Sequence, residues 1–374
     1  MKRHVVGWLS IVFVGVMLIW GCRKPSGVDP SDECEPLTHI DYEPTPKEVV
    51  VPPNFPPMPV PPDNPITEEG VALGRYLFYD PILSSDSTMS CASCHMPELS
   101  FTDGLAVSEG VTGEQGTRSA MSLLNVGYFL NGLFWDGRSP DLEDQALQPV
   151  ENPVELHESW PRVEEKLRRH SLYPELFRKA FGIENTCEIT KELTAKAIAQ
   201  FERILVSSGQ SKYDRRVNGV PGVFFTESEL RGFDMFFDIS PELPDAECGH
   251  CHNVPFFTTN DYFNNGIEAV SDLNGFPDKG RGDVTGSIFD NGKFRAPTLR
   301  NITLTAPYMH DGRFQTLEEV LDHYNSGGHY ADNRDPLIRP LSLTEEQKQD
   351  IINFLKTLED IPFTQNPEFQ NPWE

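Results

Sequence analysis

The chain has 374 residues, enough for two ordinary domains, and carries 57 acidic against 31 basic side chains for a formal charge of −26. That balance excludes a nucleic-acid reader, because phosphate binding needs a basic footprint. It suits a partner with a basic docking face, such as a small basic redox protein, and equally a well-solvated acidic surface.

At the N-terminus, Lys2 and Arg3 precede an apolar run over residues 5–20, VVGWLSIVFVGVMLIW, which is short for a membrane span. Its ending, Leu18-Ile19-Trp20-Gly21-Cys22, resembles a bacterial lipobox. The resemblance implies a signal peptide over 1–21, cleavage before Cys22 and a diacylglycerol on the Cys22 thiol. The other reading is an uncleaved anchor; both export the rest of the chain into an oxidising compartment, the periplasm. Residues 22–62 are rich in proline and acid, as in VVVPPNFPPMPVPPDNP. Proline fixes φ and removes a donor, so this stretch reads as a polyproline-like tether whose last part lies along the body.

Beyond it, residues 67–78 (TEEGVALGRYLF) read as a helix with Thr67 as N-cap. Residues 226–237 (TESELRGFDMFF) read as another, with Glu229 three positions after Thr226 in a capping-box pattern. Residues 316–324 and 344–358 space apolar side chains at helical intervals. Each of the first two helices leads into a Cys-x-x-Cys-His: Cys91-Ala92-Ser93-Cys94-His95 and Cys248-Gly249-His250-Cys251-His252. This is the attachment signal of a c-type haem, two thiols for the vinyl groups and an adjacent histidine for the iron. A four-cysteine zinc site would have to join pairs far apart in sequence and ignore both histidines. No βαβ pattern surrounds either motif to support a thioredoxin-like pair. Of seven cysteines, Cys34 and Cys187 remain, and the sequence permits either a disulfide or free thiols. The expected fold is mostly α, with two cytochrome c-like haem domains over 63–218 and 219–374 and long loops wrapped on the cofactors.

The blocks LGRYLFYDPILSSDSTMSCASCH, FTDG, SLLNV, LFWDGRSPDLEDQALQPVENPVE and RAPTLRNITLTAPYMHDGRFQTLEEV, with both haem motifs in order, resemble the bacterial diheme cytochrome c peroxidases and MauG enzymes from about residue 63 to 358. The resemblance implies a peroxidatic haem on Cys91 and Cys94 with His95 proximal, and an electron-entry haem on Cys251 and Cys248 with His252 proximal. Glu155 matches the family's acid–base glutamate, Gln145 a distal glutamine and Pro149 a distal proline. Without the surrounding block, Glu155 would read as an ordinary surface carboxylate. Trp135 matches a tryptophan between the haems; a buried packing anchor is its plainer reading. A calcium between the domains would take the carbonyls of Thr305 and Pro307, but its side-chain asparagine aligns with Ser119, which puts that ion in doubt.

Two positions depart from the usual peroxidase. The loop after the first haem motif, residues 107–113, contains no histidine, so the first iron is expected to be open at rest. Fourteen residues after His310, where many peroxidases place the second haem's methionine, stands Tyr324, as in the MauG branch. Tyrosinate favours high-valent iron, whereas a thioether favours ferrous iron; Met309 and His323 are the neighbouring candidates. Three functions follow from the resemblance. One is reduction of hydrogen peroxide with electrons from a small cytochrome c or cupredoxin. The second is oxidation of a protein substrate through high-valent haems. The third is plain electron carriage, which the acid–base group at Glu155 argues against. The resemblance also allows a homodimer.

Overall fold

The computed structural model describes Met1 and residues 34–373; the apolar N-terminal run and Cys22 lie outside the described residues. The architecture is mostly helical, with one two-residue antiparallel pair, β1 (Tyr262–Phe263) against β2 (Phe294–Arg295).

Five helices build the first half: α1 (Glu68–Tyr79), α2 (Leu142–Glu151), α3 (Trp160–Arg169), α4 (Tyr173–Phe181) and α5 (Lys191–Arg203). α1 begins where expected, because the Thr67 side chain accepts from Gly70 N and Glu68 and Glu69 complement the helix N-terminus. It stops at Asp80, ahead of Pro81, and packs along α5. The approach is close: a Cβ on Gly74 would stand 1.9 Å from the Ala197 carbonyl oxygen, so only glycine fits. Leu73, Leu77, Val163, Tyr173, Phe177 and Ile198 fill one core, and Phe78, Phe101, Leu124, Phe201 and Leu205 a second.

The second half repeats the plan with α6 (Lys212–Val217), α7 (Glu227–Phe236), α8 (Cys248–Cys251), α9 (Arg281–Thr285), α10 (Leu317–Ser326) and α11 (Glu345–Lys356). Capping boxes open α7 (Thr226 with Glu229), α10 (Thr316 with Glu319) and α11 (Thr344 with Gln347). α7 packs on α11, and a Cβ on Gly232 would lie 2.1 Å from the Asp350 carbonyl oxygen, the same device as at Gly74. Met235, Phe236, Phe257, Ile351 and Phe354 form the core beneath. Asp214 on α6 and Arg300 make a fully buried bidentate pair at 2.8 and 2.9 Å. Removing either partner would leave a stranded charge costing about 3–5 kcal/mol.

α6 lies before the expected boundary at 218/219, yet its Tyr213 joins the core of the second half. Tyr213 packs there with Phe257 and Phe354. With α12 (Ile361–Thr364) the chain returns to the first half: Phe363 and Phe369 join its core, and Tyr79 Oη donates to the Phe369 carbonyl. The proline-rich segment is laid down on the body from residue 34 onward. Cys34 and Cys187 form a disulfide, Leu37 N donates to Glu184 O, and buried Phe55 sits edge-on to both Tyr128 and Phe256. A cross-link that closes a loop of 153 residues stabilises mainly by restricting the unfolded chain.

Candidate active site

Among the cavities of the described residues, two carry a haem motif on the wall, one in each half. The first, about 510 Å³, is lined by Cys91, Cys94 and His95 and brings together Gln145, Pro149, Glu155 and Trp135. His95 Nδ1 lies 2.8 Å from the Phe101 carbonyl oxygen, which fixes the ring and leaves Nε2 for a metal. That carbonyl is aimed by a turn in which Ser100 and Phe101 both hold positive φ (55° and 63°).

Gln145 and Pro149 sit four residues apart on α2, one turn along the same face. The proline occupies the last turn, and the chain leaves the helix at Asn152. Asn152 then bends the following residues back: its Nδ2 donates to Glu155 Oε1 at 2.6 Å, and Glu155 N donates to its carbonyl at 3.0 Å. Burial raises the Glu155 pKa above its ordinary value, opposed by the Asn152 hydrogen bond and the positive charge of Arg138. The histidine-free loop is pinned to this segment, with Val111 N donating to Glu155 O at 2.8 Å. A Cβ on Gly110 would meet the Val154 carbonyl oxygen at 2.3 Å. From that loop only Ser108 and Glu109 reach the cavity wall.

Trp135 lines both cavities, and its Nε1 donates to Ser119 O at 2.9 Å. The second cavity, about 180 Å³, is lined by Cys248, Cys251, His252, Met309 and Tyr324. His252 Nδ1 lies 3.2 Å from Phe257 O and 3.1 Å from Pro297 O, again leaving Nε2 for a metal. Tyr324 is brought there by α10, and Asn265 Nδ2 lies 3.3 Å from both the Tyr324 hydroxyl and Met309 Sδ. His323 is turned elsewhere, its Nε2 3.0 Å from Asn265 O. Burial pushes the Tyr324 phenol up to about 12, with the Asn265 contact opposing it. Burial likewise raises the thiol pKa of Cys94, Cys248 and Cys251.

The Ser119 hydroxyl donates to Met309 O at 3.1 Å, and among the described residues no group of three or more His, Cys, Asp or Glu side chains could hold a metal ion. The haems fit better: thiol pairs, ring-fixed histidines and apolar walls converge, and two buried polar atoms on the walls, Glu202 Oε2 and Arg295 Nη1, lack protein partners. Neither residue stood out in the sequence. Glu202 resembles any acid near a helix end, yet it is buried and its pKa is pushed up to about 8 by loss of solvent. Asn152 and Asn265, which hold Glu155 and Tyr324, carry no local signal either.

A family profile described as di-haem cytochrome c peroxidase matches residues 68–221. The chain is 35% identical to the cytochrome-c peroxidase IdrP1 of Pseudomonas sp. (strain SCT), over 81% of this chain and 84% of that protein. It is 36% identical to the methylamine utilization protein MauG of Methylorubrum extorquens, over 82% of each. The crystal structure of a MauG-like protein associated with microbial copper homeostasis superposes with a TM-score of 0.79 at 37% identity, covering 87% of this chain and 99% of that one. The chain therefore belongs to the di-haem cytochrome c peroxidase and MauG family. It is an oxidoreductase of the peroxidase type with places for two haems.

Proposed function

We propose that this chain reduces hydrogen peroxide to water in the first cavity, drawing electrons through the second from a small cytochrome c or cupredoxin. The observation that carries this reading is Glu155, held by Asn152 on the wall of the roomier cavity with a raised pKa. Cys91, Cys94 and His95 would hold one haem and Cys248, Cys251 and His252 the other, and these groups would supply one-electron chemistry and, in the first cavity, a place for peroxide to react. Glu155 takes the proton from the near peroxide oxygen and delivers it to the far one as the O–O bond breaks. Gln145 and Pro149 shape the space in which the peroxide is held. Two electrons from the donor and two protons from water complete the conversion of one peroxide to two waters. Trp135, shared by both walls, lies on the route between them.

The larger first cavity and the loop without histidine support an iron open at rest. The tighter second cavity, with Tyr324 on its wall, supports a haem ligated on both faces. Tyr324 also favours a second reading, in which the same peroxide chemistry withdraws electrons from a protein substrate. A MauG-like relative tied to copper homeostasis gives that reading a place to be tested. Export to the periplasm, a lipid anchor on Cys22, a homodimer and a calcium on the Thr305 and Pro307 carbonyls remain parts of the proposal. Among the described residues no helix is long and apolar enough to cross a membrane.

Glu155→Gln, with both haems counted, tests the assignment. Turnover with peroxide is expected to fall about 10²–10⁴-fold. Activity close to that of the unaltered chain, at full haem content, would remove Glu155 from the reaction.

A further inference from the structure

Three arginines of the described residues are buried: Arg203, Arg295 and Arg300. Two of them meet carboxylates, Arg203 with Glu143 at 2.7 Å and Arg300 with Asp214 at 2.8 Å. Arg295, only 3% exposed, has no carboxylate within ion-pair distance among the described residues. Its hydrogen bonds go to neutral oxygens. Nε donates to Phe134 O at 3.1 Å, and Nη2 donates to Tyr262 Oη at 3.0 Å and to Gly132 O. Nη1 is buried with no partner at all. A guanidinium stripped of water and left without an anion is costly.

The missing anion can be placed. Arg295 lines both cavities, and of the buried unpartnered side-chain atoms on their walls it alone belongs to a residue shared by the two. Each haem carries a pair of propionate carboxylates, the one anionic group that the cofactors bring into an otherwise apolar space. The flat guanidinium fork suits a carboxylate, and a charge-assisted bond there is worth about twice a neutral one. Resting on the reading that both cavities hold haem, we infer that Arg295 is the shared counter-cation of the haem propionates, with Nη1 donating to carboxylate oxygens where the two cofactors come nearest.

The same residue grips the segment that carries Trp135. Its backbone N donates to Trp135 O at 2.8 Å, and its side chain holds the carbonyls of Phe134 and Gly132. β2 fixes it by pairing Arg295 with Tyr262. Arg295 is thus a positioning residue: propionates on one side of the guanidinium and the tryptophan loop on the other are set relative to each other by one side chain.

The experiment is a redox titration of both haems in Arg295→Gln and Arg295→Lys, with haem content measured on the same samples. A buried positive charge beside both cofactors disfavours the ferric state, so Arg295→Gln is expected to lower both midpoint potentials. Arg295→Lys, which keeps the charge but not the fork, is expected to fall between. Unchanged potentials at full haem content overturn the assignment, and a shift in one haem alone overturns the sharing. Where Arg295→Gln does not fold, a crystal structure of the unaltered haem-loaded chain decides: Nη1 bonded to propionate oxygens supports the inference, and water or chloride there overturns it. Fewer than two haems in the unaltered chain would instead overturn the reading beneath it.

Discussion

The two halves of this molecule share a scaffold and differ in what faces the cavity. In each, a threonine-capped helix leads towards a Cys-x-x-Cys-His, and a glycine lets that helix meet a later one at backbone distance. In each, a backbone carbonyl occupies Nδ1 of the motif histidine. The first cavity then receives a carboxylate and an amide, Glu155 and Gln145, with open space around them. The second receives a phenol and a thioether, Tyr324 and Met309, in about a third of the volume. The two cavities differ by the side chains that a helix end brings to one and a helix face to the other. On the proposed reading, chemistry needing a proton and a substrate goes to the roomier cavity and electron exchange to the tighter one.

That comparison is sharpened first by pH. Glu155 must be ionised to take a proton from peroxide, and burial raises its pKa above the usual 4.5. Turnover should therefore fall on the acid side of a midpoint lying above 4.5, by about tenfold per pH unit, with the acid limb lost in Glu155→Gln. A profile whose acid limb survives in that variant assigns it to another group.

Tyr324→Met tests the second cavity. Exchanging a charge-donating phenolate for a thioether is expected to raise the potential of the second haem and change its low-spin EPR signal, leaving the first haem's signal in place. A spectrum insensitive to the change would take Tyr324 off the iron.

The smallest effects belong to the shared scaffold. Gly74→Ala and Gly232→Ala each force a methyl against a backbone carbonyl, at Ala197 and Asp350. Each should cost about 1–3 kcal/mol in thermal or denaturant unfolding. A glycine whose loss is silent marks the half where the helices are free to separate.

Much of this was legible without coordinates. Capping residues announced the helices at Thr67 and Thr226, because a cap is a local hydrogen bond between neighbours in sequence, and apolar spacing announced those that begin at Leu317 and Glu345. The two cysteine motifs announced the cofactor for the same reason: thiols and ligand lie within five residues. The QALQPVENPVE block put Gln145, Pro149 and Glu155 within one turn and one bend of each other, and they do share a wall.

What escaped has partners far away in the chain. Arg295 looked like any arginine until its bonds to residues 132–135 and its unpaired Nη1 became visible. Asn265 gained meaning only beside Tyr324, and Cys34 only beside Cys187. The return of Phe363 and Phe369 to the first core follows no local rule. By itself, the sequence located the caps and the two motifs proposed to hold haem, since each of those patterns spans a turn or less. Only the tertiary structure decided which cavity each side chain serves and which buried charge lacks a partner. Burial and pairing are properties of distant segments brought together, and their cost appears only once water has been excluded.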